Sequence, residues 1–256
     1  FDKMTFANEP LLDQPMGFNV WRAPTDNDRK LKADWYAAHY DHAATNAYHT
    51  EYTVTASGVT LHTHVGIAAI CVQKFLDLDV TWTVANNGSV DLALHAQRNT
   101  VFPELPRFGL RLFLPQEMSQ VNYYGMGPME CYRDKHHAAS HSSYTATVWQ
   151  LHEDYIRPQE NGSHFDCDYV MLAGDAVRLT AVGTQPFSFN VSHYTQEELT
   201  RKAHNYELEP CGSTVLCLDY AQNGIGSESC GPRLLEQYRL DDATFNFGLR
   251  LFPEKK

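Results

Sequence analysis

An all-β sandwich is the fold this sequence predicts, and three observations predict it. Phe75 to Ala85 alternates almost without exception, with Phe75, Asp77, Asp79, Thr81 and Thr83 set against Leu76, Leu78, Val80, Trp82 and Val84. That is the period of a half-buried strand. Strand-like segments recur at intervals of roughly 10–15 residues with turn residues between them, as stacked sheets require. Only Thr195 to His204 reads as a convincing helix, so no strand–helix alternation is present.

Taken in order, residues 1–20 carry little pattern beyond an apolar end, Met16-Gly17-Phe18-Asn19-Val20. Pro24 fixes its own φ and pushes Ala23 toward extended geometry, so a strand ending at Trp21-Arg22 stops sharply. Asp26-Asn27-Asp28 follows as a capped turn. Leu31, Trp35, Ala38 and His39 fall on one side of a short helix within Arg29–Tyr40. Glu51–Ala56 and Val59–Val65 flank Ser57-Gly58 as a hairpin. Asn86-Asn87-Gly88 turns the Phe75–Ala85 strand into Val90–Ala96. Arg107–Leu114 alternates up to Pro115, and Val121–Tyr124 runs into Gly125-Met126-Gly127-Pro128. Apolar residues are spaced through 144–157 before a turn over Pro158–Gly162. His164–Leu172, Val177–Val182, Phe187–Val191, Thr214–Tyr220 and Phe245–Phe252 complete the strands. Thr195, with Glu198 three residues on, has the spacing of a capping box for the one helix.

The 256 residues suit one large all-β domain or two smaller ones. No linker, low-complexity tract or composition shift divides them, so 1–256 is read as one domain, with residues 1–17 as a lead-in from a preceding one. Hydrophobic residues at 43% supply a substantial core, and a net charge of −11 argues against nucleic acid or an anionic membrane surface as partner. No apolar run is long enough to span a bilayer. Six scattered cysteines without a C-x-x-C pair fit reduced thiols in the cytoplasm better than a disulfide framework. Sequons at Asn87, Asn161 and Asn190 would matter only in a secreted chain.

Several candidate chemistries fail on their spacing. His136-His137 with His141 lacks a helical His-x-x-x-His or a spaced carboxylate and reads as loop histidines rather than zinc ligands. Gly125-x-Gly127 has no third glycine and no helix after it, so it is a tight turn feeding Glu130 and Tyr132. Cys230 lies in a polar loop with no base nearby in sequence. Asp26 with Asp28, or Glu130 with Asp134, could flank a sugar, and Trp21, Tyr123, Tyr124, Tyr132, Trp149 and Tyr194 offer rings for stacking, most of them core. On these residues the reading is a large acidic β-sandwich whose polar loops bind carbohydrate.

Five ordered segments then carry a resemblance. Val20-Trp21-Arg22-Ala23-Pro24-Thr25-Asp26-Asn27-Asp28 resembles the opening signature of the C-terminal, small-chain domain of family 2 β-galactosidases. Tyr124 to Asp134, Pro158-Gln159-Glu160-Asn161-Gly162, Phe187–Tyr194 with its helix, and Gly224-Ile225-Gly226 leading to Ser229-Cys230-Gly231-Pro232 resemble later segments of that domain, in family order. The resemblance implies an antiparallel β supersandwich of the galactose-mutarotase type. It implies that both catalytic glutamates lie on a separate barrel, so that this chain alone does not hydrolyse lactose or another β-galactoside. No catalytic residue and no metal are expected here, with magnesium and sodium held on the barrel-bearing portion. The expected partner is that portion, or a large subunit, within an oligomeric enzyme. The chain is then either the C-terminal fragment of a one-chain enzyme or the small subunit of a two-chain one, and the Phe1 start favours the fragment.

What the resemblance assigns to this chain is pocket wall, contributed by Asp26, Asn27 and Asp28 in one loop and Ser229 and Cys230 in another, Ser227–Pro232. In the family the first loop continues into a mobile segment, and Arg29 to Ala33 is shorter and more basic than that segment. The second presents a tryptophan to the sugar at the entrance, and Cys230 stands in its place. Weaker stacking there is the expectation. A free-standing carbohydrate-binding module, a mutarotase-like enzyme with a His and a carboxylate converging on its concave face, and a purely structural assembly domain are the alternatives.

Overall fold

The structure, a computed structural model, describes residues 1–226 and 229–256. Its strands are β1 Thr5–Phe6, β2 Glu9–Pro10, β3 Gln14–Asn19, β4 Ala44–Thr55, β5 Gly58–Ala68, β6 Leu76–Ala85 and β7 Val90–Arg98. They continue with β8 Arg107–Pro115, β9 Gln120–Gly127, β10 Ser140–Thr147, β11 Ser163–Ala173, β12 Val177–Ser192, β13 Ser213–Gln222 and β14 Thr244–Lys255. Two short α-helices, α1 Leu31–Ala37 and α2 Gln196–Arg201, lie among them.

Every strand pairing described is antiparallel, so the expected all-β class is what the chain adopts. One path runs β10-β9-β11-β12-β14-β7-β6-β5-β4, and a second branch leaves β12 through β13 and β8 to β3. The junction is β12. Val177–Gly183 pairs with β14, whereas Ser188–Ser192 pairs with β13. A single long strand therefore belongs to both layers, where the sequence reads as two strands separated by Gly183 and Pro186. Between the layers runs one contiguous core, including Leu78 and Val80 of β6, Leu110 and Leu112 of β8, Phe187 and Phe189 of β12 and Leu249 and Leu251 of β14. On β6 the outward residues are Asp77, Asp79, Thr81 and Thr83, as the alternation requires.

Other elements depart from the pattern for local reasons. The helix α1 buries Leu31 and Trp35 but ends at Ala37, and His39 adopts a left-handed φ of 57°, which turns its ring away from the stripe. The helix α2 is shorter than its sequence pattern. Thr195 Oγ1 accepts from the Glu198 N–H at 3.1 Å, but Glu198 turns its carboxylate to the Glu209 N–H, Arg201 and Lys202 instead of closing the box. The edge strand β4 begins seven residues before Glu51 and is exposed along all 12 of its residues. The segment read as a lead-in packs onto the body, with Leu11 and Met16 buried and Gly17 paired to Arg111.

A buried histidine in the core couples stability to pH. His164, on β11, packs against Tyr123 and Phe189 with ring centroids at 4.5 and 5.1 Å, and its Nε2 has no partner. Burial pushes its pKa down to about 4. A folded value below the unfolded one of 6.5 means that its contribution is fully present above pH 6.5 and is lost as the pH falls toward 4. Urea unfolding should lose up to about 3 kcal/mol over that window through this residue. His164→Phe should flatten the slope, leaving the smaller effect of His152, whose pKa burial also lowers. Equal slopes in the two proteins would refute the assignment.

Candidate functional site

The five sequence segments singled out above converge on one end of the sandwich. The hub is Arg22, whose side chain is fully buried. Its Nη2 donates to Asp28 Oδ1 and Oδ2 at 2.9 and 3.2 Å and to the Gly224 carbonyl at 3.2 Å, while Nη1 donates to the Asn223 carbonyl. The guanidinium also lies 5.2 Å from the Trp35 ring centroid. One cation thus fastens the first loop, the helix α1 and the base of the second loop.

Local sequence explains why Asp28 can reach it. Thr25 is extended and caps a single 3-10 turn, Asp26–Arg29. Asp28 Oδ2 accepts from the Thr25 N–H at 2.8 Å and from its hydroxyl at 3.1 Å. Asp28 therefore points inward with both oxygens occupied, whereas Asp26 and Asn27 on the same turn are exposed. The second loop starts where β13 stops. Gly224 has no side chain because a Cβ would lie 2.8 Å from Asp134 Cγ and 2.9 Å from Leu234 Cδ1. Asp134 accepts from the Ile225 and Gly226 N–H groups at 3.1 and 2.7 Å.

Beneath this lies a second buried cation. Arg107 donates to Asp219 through Nε and Nη2, the latter at 2.6 Å, and to Glu160 through Nη1 at 3.2 Å. Burial drives the Asp219 and Glu160 carboxyls upward, and the shared guanidinium opposes it. The Glu160 N–H donates to the Ala23 carbonyl at 3.0 Å, which joins the two arginine clusters. Next to them Glu130 accepts from Lys135, Tyr155 and the Gly162 N–H. Burial alone would raise its carboxyl, but the bonds from Lys135, Tyr155 and Gly162 carry it below the usual range.

The two expected loops do meet. Ser229 Oγ lies 3.2 Å from Asn27 Oδ1, and Cys230 next to it is exposed. Ser227 and Glu228 lie outside the described residues. The rim also holds residues that the sequence did not assign to the pocket wall. Arg157 Nη1 stands 3.8 Å from Asp26 Oδ1, and Gln159 Oε1 accepts from the Asp26 N–H at 3.0 Å. Tyr36, 40% exposed, tilts against Trp21 with centroids at 5.3 Å. The adjacent Trp35-Tyr36 pair was the available signal, since neighbouring helical positions face different ways. Of the stacking candidates, Trp21, Tyr123 and Tyr132 are core, whereas Tyr124 and Trp149 are exposed.

Chemically, this end offers hydroxyl, amide and carboxylate groups to sugar hydroxyls, held on a rigid base. Among the described residues no three His, Cys, Asp or Glu side chains are placed to hold a metal ion. No helix among them is long and apolar enough to cross a membrane.

A family model described as "Beta galactosidase small chain" matches residues 1–251. The β-galactosidase of Actinobacillus pleuropneumoniae is 43% identical over 255 residues, covering 100% of this chain and 25% of that protein. That of Staphylococcus xylosus is 38% identical over 244 residues, covering 95% and 24%. The chain thus spans about a quarter of the length of these relatives. Among solved structures, a galactose mutarotase-like protein from Lactobacillus casei covers 96% of this chain and 86% of its own at 12% identity and a TM-score of 0.45. Galactose 1-epimerase from Lactobacillus acidophilus covers 80% and 66% at 10% identity and a TM-score of 0.46.

Removing either hub cation strands a buried carboxylate. Arg22→Met and Arg107→Met should each lower unfolding free energy by about 3–5 kcal/mol. Asp28→Asn, which keeps the side-chain shape but sets an NH2 donor against the Arg22 or Thr25 donors and removes the counter-charge, should also destabilise, by no more than Arg22→Met. Chemical denaturation of the three variants checks the order, and a near-neutral Arg22→Met would overturn the hub assignment.

Proposed function

The chain belongs to the β-galactosidase small-chain family, and from that premise we propose that it completes a β-galactosidase acting on terminal β-D-galactosides such as lactose. Its loop end forms part of the pocket wall, and the catalytic glutamates lie on a barrel-bearing portion outside these residues. That portion, or a large subunit, is its partner in an oligomeric enzyme of the cytoplasm, and it holds the magnesium and sodium. Neither nucleic acid nor membrane is a partner.

The observation that carries this reading is the contact of Ser229 with Asn27 across the two loops, above a base locked by Arg22. Asp26, Asn27, Ser229 and Cys230 face the substrate, and Asp28 sets the shape of their loop through Arg22. The carboxylates gathered at this end support a wall rather than a catalytic pair. Asp28 is bound to Arg22, Glu160 and Asp219 to Arg107, and Glu130 to Lys135. Glycoside cleavage needs two carboxyl groups with access to the same bond.

Turnover of a chromogenic β-galactoside should be absent from the purified chain and appear when a barrel-bearing partner is added. Activity of the chain alone would end the proposal. In the assembled enzyme, Asn27→Ala and Ser229→Ala should raise KM about threefold with little change in kcat, as lost hydrogen bonds to substrate would. Cys230→Trp should tighten glucose binding about fivefold through added ring stacking. Unchanged KM and glucose affinity in all three would favour a purely structural role.

A further inference from the structure

Where β11, β12 and β13 meet, an open cleft of about 220 Å3 is walled by Phe165, Asp166, Gln185, Ser188, Tyr220 and Gln222, with Arg133 at its side. Two breaks in strand pairing create it. On β11, Phe165 and Asp166 stand against the single Ser188, because His164 pairs with Phe189 and Cys167 with Phe187. On β12, residues 183–186 stand against Asp168 alone, because the ladder resumes at Tyr169 and Val182. Bulges of this kind re-aim side chains, and they gather beside binding sites. Asp166 takes a left-handed φ of 54°, a conformation that a non-glycine residue adopts at a cost.

Beneath the inner wall lies an unpartnered acceptor that is closed to solvent. Gln222 is 5% exposed, and its Nε2 donates to Ser163 Oγ at 3.0 Å and to Asp219 Oδ2 at 3.4 Å. Its Oε1 has no hydrogen-bond partner, and a buried amide oxygen left so is costly. In front of it, Asp166 brings a carboxylate and Arg133 a guanidinium whose Nη1 is committed to the Arg239 carbonyl at 3.0 Å. Gln185 is anchored by its Nε2 to the Asn246 carbonyl at 3.2 Å, and Tyr220 is stacked on Phe245 at 4.4 Å. One cation and one anion on so small a wall disfavour a ligand of either net charge. Amide, hydroxyl and carboxylate groups beside aromatic rings suit a neutral polyol with an apolar face.

We propose that this cleft binds a single neutral hexose ring, whose hydroxyls donate to the Asp166 carboxylate beside the Tyr220 ring. Its volume is below the roughly 300–1,000 Å3 of sites for larger ligands, so it takes one ring and not an extended chain. The proposal does not depend on the rim at Asn27 and Ser229.

Hydrogen exchange of the intact enzyme in millimolar D-galactose or D-glucose tests it. Peptides over 163–167 and 183–188 should gain protection. Asp166→Asn, which tolerates the same backbone conformation, and Gln185→Ala should each weaken the half-effect concentration about tenfold without lowering Tm. Absence of protection by either sugar overturns the proposal. So does protection that survives both substitutions, and so does equal protection by sulfate, which would make the site one for anions. Each of these outcomes is separate from the turnover of the Asn27 and Cys230 variants, on which the rim reading stands or falls.

Discussion

The loop end depends on one constraint: the buried guanidinium of Arg22 must have its charge answered inside the protein. Removing such a group from water costs several kcal/mol, recovered only where geometry is close to ideal. Asp28 answers the charge, and the Asn223 and Gly224 carbonyls accept from Nη1 and Nη2, while Nε has no partner. Those carbonyls are available because β13 ends at Gln222. Asp28 is available because Pro24 and Thr25 stop the extended chain and wind the next residues into a 3-10 turn. A lysine could not replace Arg22, since its point charge lacks the planar fork that meets a carboxylate and two carbonyls at once. Such a cluster adds little net stability and instead admits one arrangement of loops.

Arg107 repeats the device one layer down and ties it to the sheets. It stands on β8, Asp219 stands on the neighbouring β13, and Glu160 lies in the turn that hands its N–H to Ala23. The loops are therefore extensions of paired strands. Asn27 and Ser229 inherit the rigidity of that base, which is what a recognition surface on loops requires.

Sequence pattern made the strands legible wherever one face is buried and the other wet. β6 and β7 alternate for this reason, and the turn between β4 and β5 is written in Ser57-Gly58. It failed where burial is not one-sided. β4 lies open on both faces and carries no alternation to mark its start. β12 passes from one layer to the other, so Gly183 and Pro186 look like punctuation although the strand continues through them. The rim was legible only as residue types in a turn. That Asp28 faces inward and Asp26 outward follows from Arg22, and the pairing of Arg107 with Asp219, 112 residues apart, has no trace in local spacing.

The same clusters bear on what the acidic residues at this end can do. A general acid in glycoside cleavage needs a carboxyl that is held protonated near neutral pH and can also reach the leaving oxygen. None of the carboxyls clustered here meets both requirements. Glu160 and Asp219 are pushed upward by burial, but at 4% and 0% exposure, clasped by Arg107, they have no path to a substrate. Glu130 lies nearer the surface, yet its bonds from Lys135, Tyr155 and the Gly162 N–H hold it ionised. A side chain that fixes a loop through a full set of hydrogen bonds cannot release its proton without releasing the loop. The chemistry that makes this end a rigid wall therefore works against its carboxylates acting as a catalytic pair.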